Sequence, residues 1–156
     1  MTKTIFKFVI IIITVVVSIR CVHAQQDSFL EELRGELNRI RQSYGLSIIQ
    51  RDEKLVHLAK WYSDLCAYHM VISHDLATPE DFIDALGRKG NIYFNVHEAL
   101  YKGPSPPNPK NVITLFMNSP EHRKVLLATA DHMGVAYSVR NDTCYLTLYV
   151  GDAYDK

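Results

Sequence analysis

The stretch "SPEHR", Ser119 to Arg123, separates two apolar runs, "VITLFMN" and "KVLLA", with a hydroxyl, a carboxylate, an imidazole and a guanidinium. His122 has three roles open to it: acid–base chemistry, metal ligation, or fastening a corner of the fold. Ser119 near His122, and Ser73 next to His74, raise the question of a serine hydrolase. A serine nucleophile needs a base within about 3 Å and a third group to orient that base. No G-x-S-x-G elbow is present. Ser119, Pro120 and Glu121 read instead as a helix start: a capping residue, proline at the first position, then an acid. Arg123 reads as structural, bridging to a carboxylate such as Glu121 or Asp131.

The elements that must position these groups follow from periodicity. In "DSFLEELRGELNRIRQSYGL" the residues Leu30, Leu33, Leu37, Ile40 and Tyr44 recur at three or four, which predicts an amphipathic helix stopped by Gly45. A second helix is predicted from about Asp52 through His69. Thr78, Pro79, Glu80 and Asp81 start a short third helix that should end near Gly87 or Gly90. "NIYFNVHEALYKG" reads as a short extended stretch that gives way to a loop at Glu98. After the proline-rich "GPSPPNPKN", residues 110–117 form a further helix, and Ser119 caps the next. "HMGVAYSV" and "CYLTLYVGD", joined by a turn at Arg140 to Thr143, read as a β-hairpin. Helices first and paired strands last predict an α+β domain, a three-layer α-β-α sandwich whose small, mainly antiparallel sheet is covered by helices.

The ends and the composition narrow the setting. Lys3 and Lys7, the run "FVIIIITVVVSI" and the small or apolar Val22 and Ala24 have the layout of a secretory signal peptide, residues 1–24, cleaved after Ala24. Its apolar core is shorter than a membrane-spanning helix needs. An uncleaved anchor is the alternative. The remaining 132 residues, 25–156, suffice for a single domain. They carry 14 Lys and Arg against 17 Asp and Glu, a formal net charge of −3, so no basic nucleic-acid footprint exists. In an oxidising compartment the pair Cys66 and Cys144 predicts a disulfide; the alternative is two small buried hydrophobes. "NDT", Asn141 to Thr143, fits a glycosylation acceptor in a eukaryotic secretory pathway.

Several segments, in order, resemble the CAP superfamily, the SCP or cysteine-rich secretory, antigen 5 and pathogenesis-related-1 domain, in its short bacterial type. "LNRIRQSYGLSIIQRDEKLVHLAKWYSDLC" is similar to the family's first two helices and their connection. "SHD" resembles the segment carrying the first family histidine, His74. "VHEAL" stands where the family has glycine-glutamate-asparagine, which makes the glutamate Glu98. "LFMNSPEHRKVLL" resembles the block carrying the second histidine, His122, and "HMGVAYS" with "YLTLYVGD" the closing strands. The resemblance covers Phe29 to Gly151, and "MNSPEHR" is its most specific piece. Phe116 replaces the family's tryptophan, His97 and Ala99 flank Glu98 in place of glycine and asparagine, and Val125 replaces an asparagine. The second glutamate of animal and plant members has no counterpart; the equivalent stretch lies near Ser119.

The resemblance implies that His74, Glu98 and His122 converge in a central cleft, with His97 and His69 as outside candidates. Two imidazoles and a carboxylate can hold zinc or another divalent metal and leave a position open for water. A metal-dependent extracellular hydrolase, with Glu98 as its catalytic group, is one expectation. The other, favoured by the missing second glutamate and the altered neighbours of Glu98, is a non-enzymatic module binding a lipid, glycan or protein through the cleft. Tyr93, Phe94 and Tyr101 are candidates to line an apolar groove. A monomer, secreted to the extracellular space or periplasm and not held in a membrane, is expected.

Overall fold

The computed structural model describes residues 25–86 and 93–153. The expected signal peptide therefore lies outside the described residues, as do Gly87 and Gly90. Helix α1 occupies residues 25–43, followed by β1 (Gln50–Arg51), α2 (Glu53–His69), α3 (Pro79–Leu86), β2 (Tyr93–Pro104), α4 (Pro109–Asn118), α5 (Pro120–Leu126), β3 (His132–Arg140) and β4 (Thr143–Ala153).

The four strands form one sheet in the order β1-β3-β4-β2, with β1 parallel to β3 and the other neighbours antiparallel. Alternation along the strands gives the sheet two apolar faces. Met133, Val135, Leu146, Leu148, Val150 and Ala99 pack with α1, α4 and α5 through Leu33, Leu37, Ile113, Phe116 and Leu126. Ala136, Tyr145, Tyr149 and Leu100 pack with α2 and α3 through Leu58, Tyr62, Ala67 and Phe82. The α+β three-layer sandwich expected from the pattern is the fold observed. At Gly134 the start of α2 lies so close to β3 that an added Cβ would stand 2.0 Å from the Leu55 carbonyl carbon.

Local chemistry sets most boundaries. Asp52 accepts from the backbone of Lys54 and Leu55 and caps α2, while Met70 closes it in the left-handed region at φ 58°. Thr78 and Asp81 bond reciprocally at the start of α3. Gly45 ends the α1 segment at φ 73°. Asn141 and Asp142, both at positive φ, make the two-residue turn between β3 and β4.

Four expectations change. The buried stripe of α1 runs Leu30, Leu33, Leu37, Arg41, whereas Tyr44 is 57% exposed. Glu98 does not mark a strand end: β2 continues six residues beyond it because it pairs along its length with β4. Ser119 stands at the N-cap position of α5 but its side chain makes no capping hydrogen bond; Pro120 and the Arg123 N–H to Ser119 carbonyl bond begin the helix. Arg123 bonds neither Glu121 nor Asp131 but donates through Nε to the Met117 carbonyl at 2.7 Å, fastening α5 to the end of α4.

The expected disulfide is also absent. Cys66 and Cys144 are both free and buried. Cys66 packs on the α2 side of the sheet and Cys144 on the α1 side, so the sheet itself stands between the sulfurs.

Candidate functional site

Glu98 lies in β2 directly opposite Tyr149 of β4, and both side chains are on the α2 face of the sheet. The Tyr149 hydroxyl donates to Oε2 of Glu98 at 2.5 Å, and Nδ1 of His74 meets Oε1 at 2.5 Å. Glu98 has only 14% of its side chain exposed, against 60% for His74. Burial raises the Glu98 carboxyl above its usual range, opposed by the bonds from Tyr149 and His74. Burial, with the Glu98 charge adding to it, drives the Tyr149 hydroxyl well above its usual value. Tyr149 therefore stays protonated and remains a donor.

His74 belongs to the segment between α2 and α3, which a second tyrosine holds in place. The Tyr62 hydroxyl donates to the Ser73 carbonyl at 2.7 Å and accepts from the Leu76 N–H at 3.3 Å. Burial first, and then the nearby Glu98 charge, push Tyr62 up to about 12. Phe82 of α3 stacks on Tyr62 with centroids 5.4 Å apart and meets Tyr149 edge-on. The loop carrying His74 is thus pinned to the same aromatic cluster that supplies the donor to Glu98.

His122 reaches the region from the other helical layer, because α5 packs beside β2. Its ring lies against Phe116, centroids 4.9 Å apart. Burial holds its imidazole below the ordinary value, and repulsion from His74 lowers it further, while Glu121 acts in the opposite sense. Among the described residues no hydrogen bond joins His122 to Glu98 or His74. The structure therefore brings His74 and Glu98 into contact, with His122 close enough to be felt through its charge.

A model of the CAP, or cysteine-rich secretory protein, family matches residues 35–152. The chain belongs to the CAP family. Solved structures agree on the fold of this CAP domain. An outer surface protein from Borrelia burgdorferi matches at 21% identity and TM-score 0.67, over 80% of this chain and 92% of that one. A cysteine-rich secretory protein from Staphylococcus aureus matches at 23% identity and TM-score 0.60, over 81% of this chain and 39% of that one. An extracellular SCP-domain protein from Bacillus anthracis matches at 18% identity and TM-score 0.64, over 81% of this chain and 41% of that one. Comparison with curated protein sequences gives no match.

The remaining candidates of this CAP domain stand away from the Glu98 pair. His97 is exposed and, next to Glu98 on a strand, points to the other face. His69 ends α2 with its ring against exposed Tyr68. Tyr101 is half-buried and packs against the α1-side core; the side chains of Tyr93 and Phe94 lie outside the described residues. Among the described residues no three His, Cys, Asp or Glu side chains group as a metal site. Zinc asks for three protein ligands in a catalytic site, and the contact here joins two, His74 and Glu98. The described residues do not fit the expected divalent metal, and no hydrolytic step is derived through one. Tyr149 and Tyr62 are the residues that sequence reasoning missed. Period-two alternation puts Tyr145, Thr147 and Tyr149 on one face, but only the strand register puts Tyr149 opposite Glu98.

Proposed function

We propose that this CAP domain is a secreted, non-enzymatic binding module whose ligand, a lipid, glycan or protein, is recognised at the His74–Glu98 pair with His122 beside it. One observation carries the reading. Glu98 is buried and hydrogen-bonded on both oxygens, an arrangement that holds the carboxylate fixed and orients His74. With an ionised Glu98, the Nδ1 proton of His74 points at the carboxylate, and Nε2 of a largely exposed ring remains for a ligand. Donors and acceptors held this rigidly by Tyr149 and Tyr62 suit recognition, because little ordering is lost on binding.

A location outside the cytoplasm is supported by the fold relatives described as outer surface and extracellular proteins. Among the described residues no helix is long and apolar enough to cross a membrane. The test is a lipid and glycan panel read with the wild-type chain and with His74→Ala/His122→Ala. Capture is expected for the wild type and lost in the double variant. Capture unchanged by the double substitution would move the site elsewhere. A zinc titration on the same two proteins gives the counter-test: tight zinc binding by the wild type alone would restore the metal-dependent reading.

A further inference from the structure

At the end of α2 three apolar side chains stand out of the fold: Tyr68 is 72% exposed, Met70 48% and Val71 42%. Two exposed cations are fastened to the same corner. Nζ of Lys102 donates to the Met70 carbonyl at 2.9 Å, and the Arg140 guanidinium donates to the carbonyls of Ala67 and Tyr68. These bonds cap the negative end of α2 but do not neutralise either charge. Asp142, in the adjoining turn, offsets part of it.

We propose that this corner, formed by Tyr68, Met70, Val71, Lys102 and Arg140, docks the domain on an anionic lipid surface. Three observations favour a bilayer over a folded partner. The apolar side chains project from a helix end rather than lining a groove, so a soft surface accommodates them where a rigid one would need matching pockets. Tyr68 has an apolar body and a polar tip, the combination that suits a membrane–water interface. Cations beside an apolar tip match anionic headgroups over acyl chains, the pairing that interfacial segments use. The corner is local: residues 25–156 are net acidic, so attraction is confined to the one place where the cations flank exposed apolar groups. Docking there is peripheral, independent of what His74 and Glu98 bind.

The test is co-sedimentation of the full chain with vesicles of phosphatidylcholine alone and of phosphatidylcholine with phosphatidylglycerol. Residues 1–24 are common to every variant, so whatever binding they contribute cancels in the comparison. The anionic vesicles are expected to retain more protein, and raised salt to remove the preference. Lys102→Glu/Arg140→Glu should weaken that preference by about tenfold or more. Arg140 also holds the end of α2, so Lys102→Glu with Tyr68→Ser, checked for an unchanged circular dichroism spectrum, provides the second variant. Lys110→Glu on α4 should leave binding as it is. Equal partition of the wild type onto both vesicles would overturn the proposal, as would a preference that neither set of substitutions reduces. Binding to soluble polyglutamate without vesicle pelleting would assign the corner to an acidic protein segment, and overturn it too.

Discussion

A carboxylate that keeps 14% of its side chain exposed needs donors, and Glu98 has one on each oxygen. Its carboxyl is raised chiefly by burial, so the folded state holds that proton more tightly than the unfolded chain. The stability tied to it is present below the ordinary carboxylate value and lost as pH rises through the folded one. His122 has the opposite sign. Burial and the neighbouring His74 lower its imidazole, so its contribution is present above the ordinary histidine value and lost as pH falls through the folded one. His122→Gln should therefore cost more stability at about pH 7.5 than at about pH 5, either side of the ordinary histidine value. Urea midpoints of the two proteins at both pH values check this. A difference that grows on acidification would contradict the burial of the neutral ring.

At the scale of elements, a buried charged group completes a helix stripe. Arg41 is 1% exposed on α1, four residues after Leu37. Its guanidinium donates to the carbonyls of Ser47, Leu126, Ala128 and Ala130, all between 2.9 and 3.0 Å. Burial lowers its tendency to hold a proton, yet four charge-assisted bonds and the high intrinsic basicity of the group keep it charged. Asn38, one turn earlier, bonds both the N–H and the carbonyl of Ile49. Arg41 thus fixes the end of α1 against the chain that leaves α5, the helix that carries His122, while Asn38 fixes it against the chain that enters β1. Arg41→Met should lower stability by about 3 kcal/mol or more, because each buried carbonyl left without a donor costs about 1–3. Arg41→Lys should rescue only part of this, since a compact ammonium cannot span the planar fork that reaches four acceptors. Chemical denaturation measures both, and a Lys variant as stable as the wild type would refute the role given to the fork. The apolar period alone read this stripe through Ile40 and Tyr44. The polar residue at the next core position, Arg41, was the signal for the fastening.

At the scale of the whole molecule, the sheet is a partition, and most of what sequence could and could not say follows from it. Helices α2 and α3 were legible because their caps and periods are local: Asp52 for one, Thr78 with Asp81 for the other. The closing hairpin was legible from its alternation and its Asn141–Asp142 turn. β2 was less so, since its length is set by pairing with β4, and the order β1-β3-β4-β2 is written in no single segment. The contact of His74 with Glu98 was reachable only through family resemblance, and the donor Tyr149 only through register. The same partition decides the cysteines. Sequence pairs them, but Cys66 and Cys144 belong to different cores, and burial pushes their thiols up to about 11 and about 12. Buried, protonated thiols are poor nucleophiles, so stability must come from the two cores and not from a covalent link. A thiol reagent should therefore leave Cys66 and Cys144 unmodified in the native chain and label both on unfolding without prior reduction. A reductant should leave the thermal midpoint unchanged. Should the midpoint fall on reduction, or the two thiols be missing from the denatured chain, the sheet would not separate these sulfurs and the two-core arrangement would be wrong.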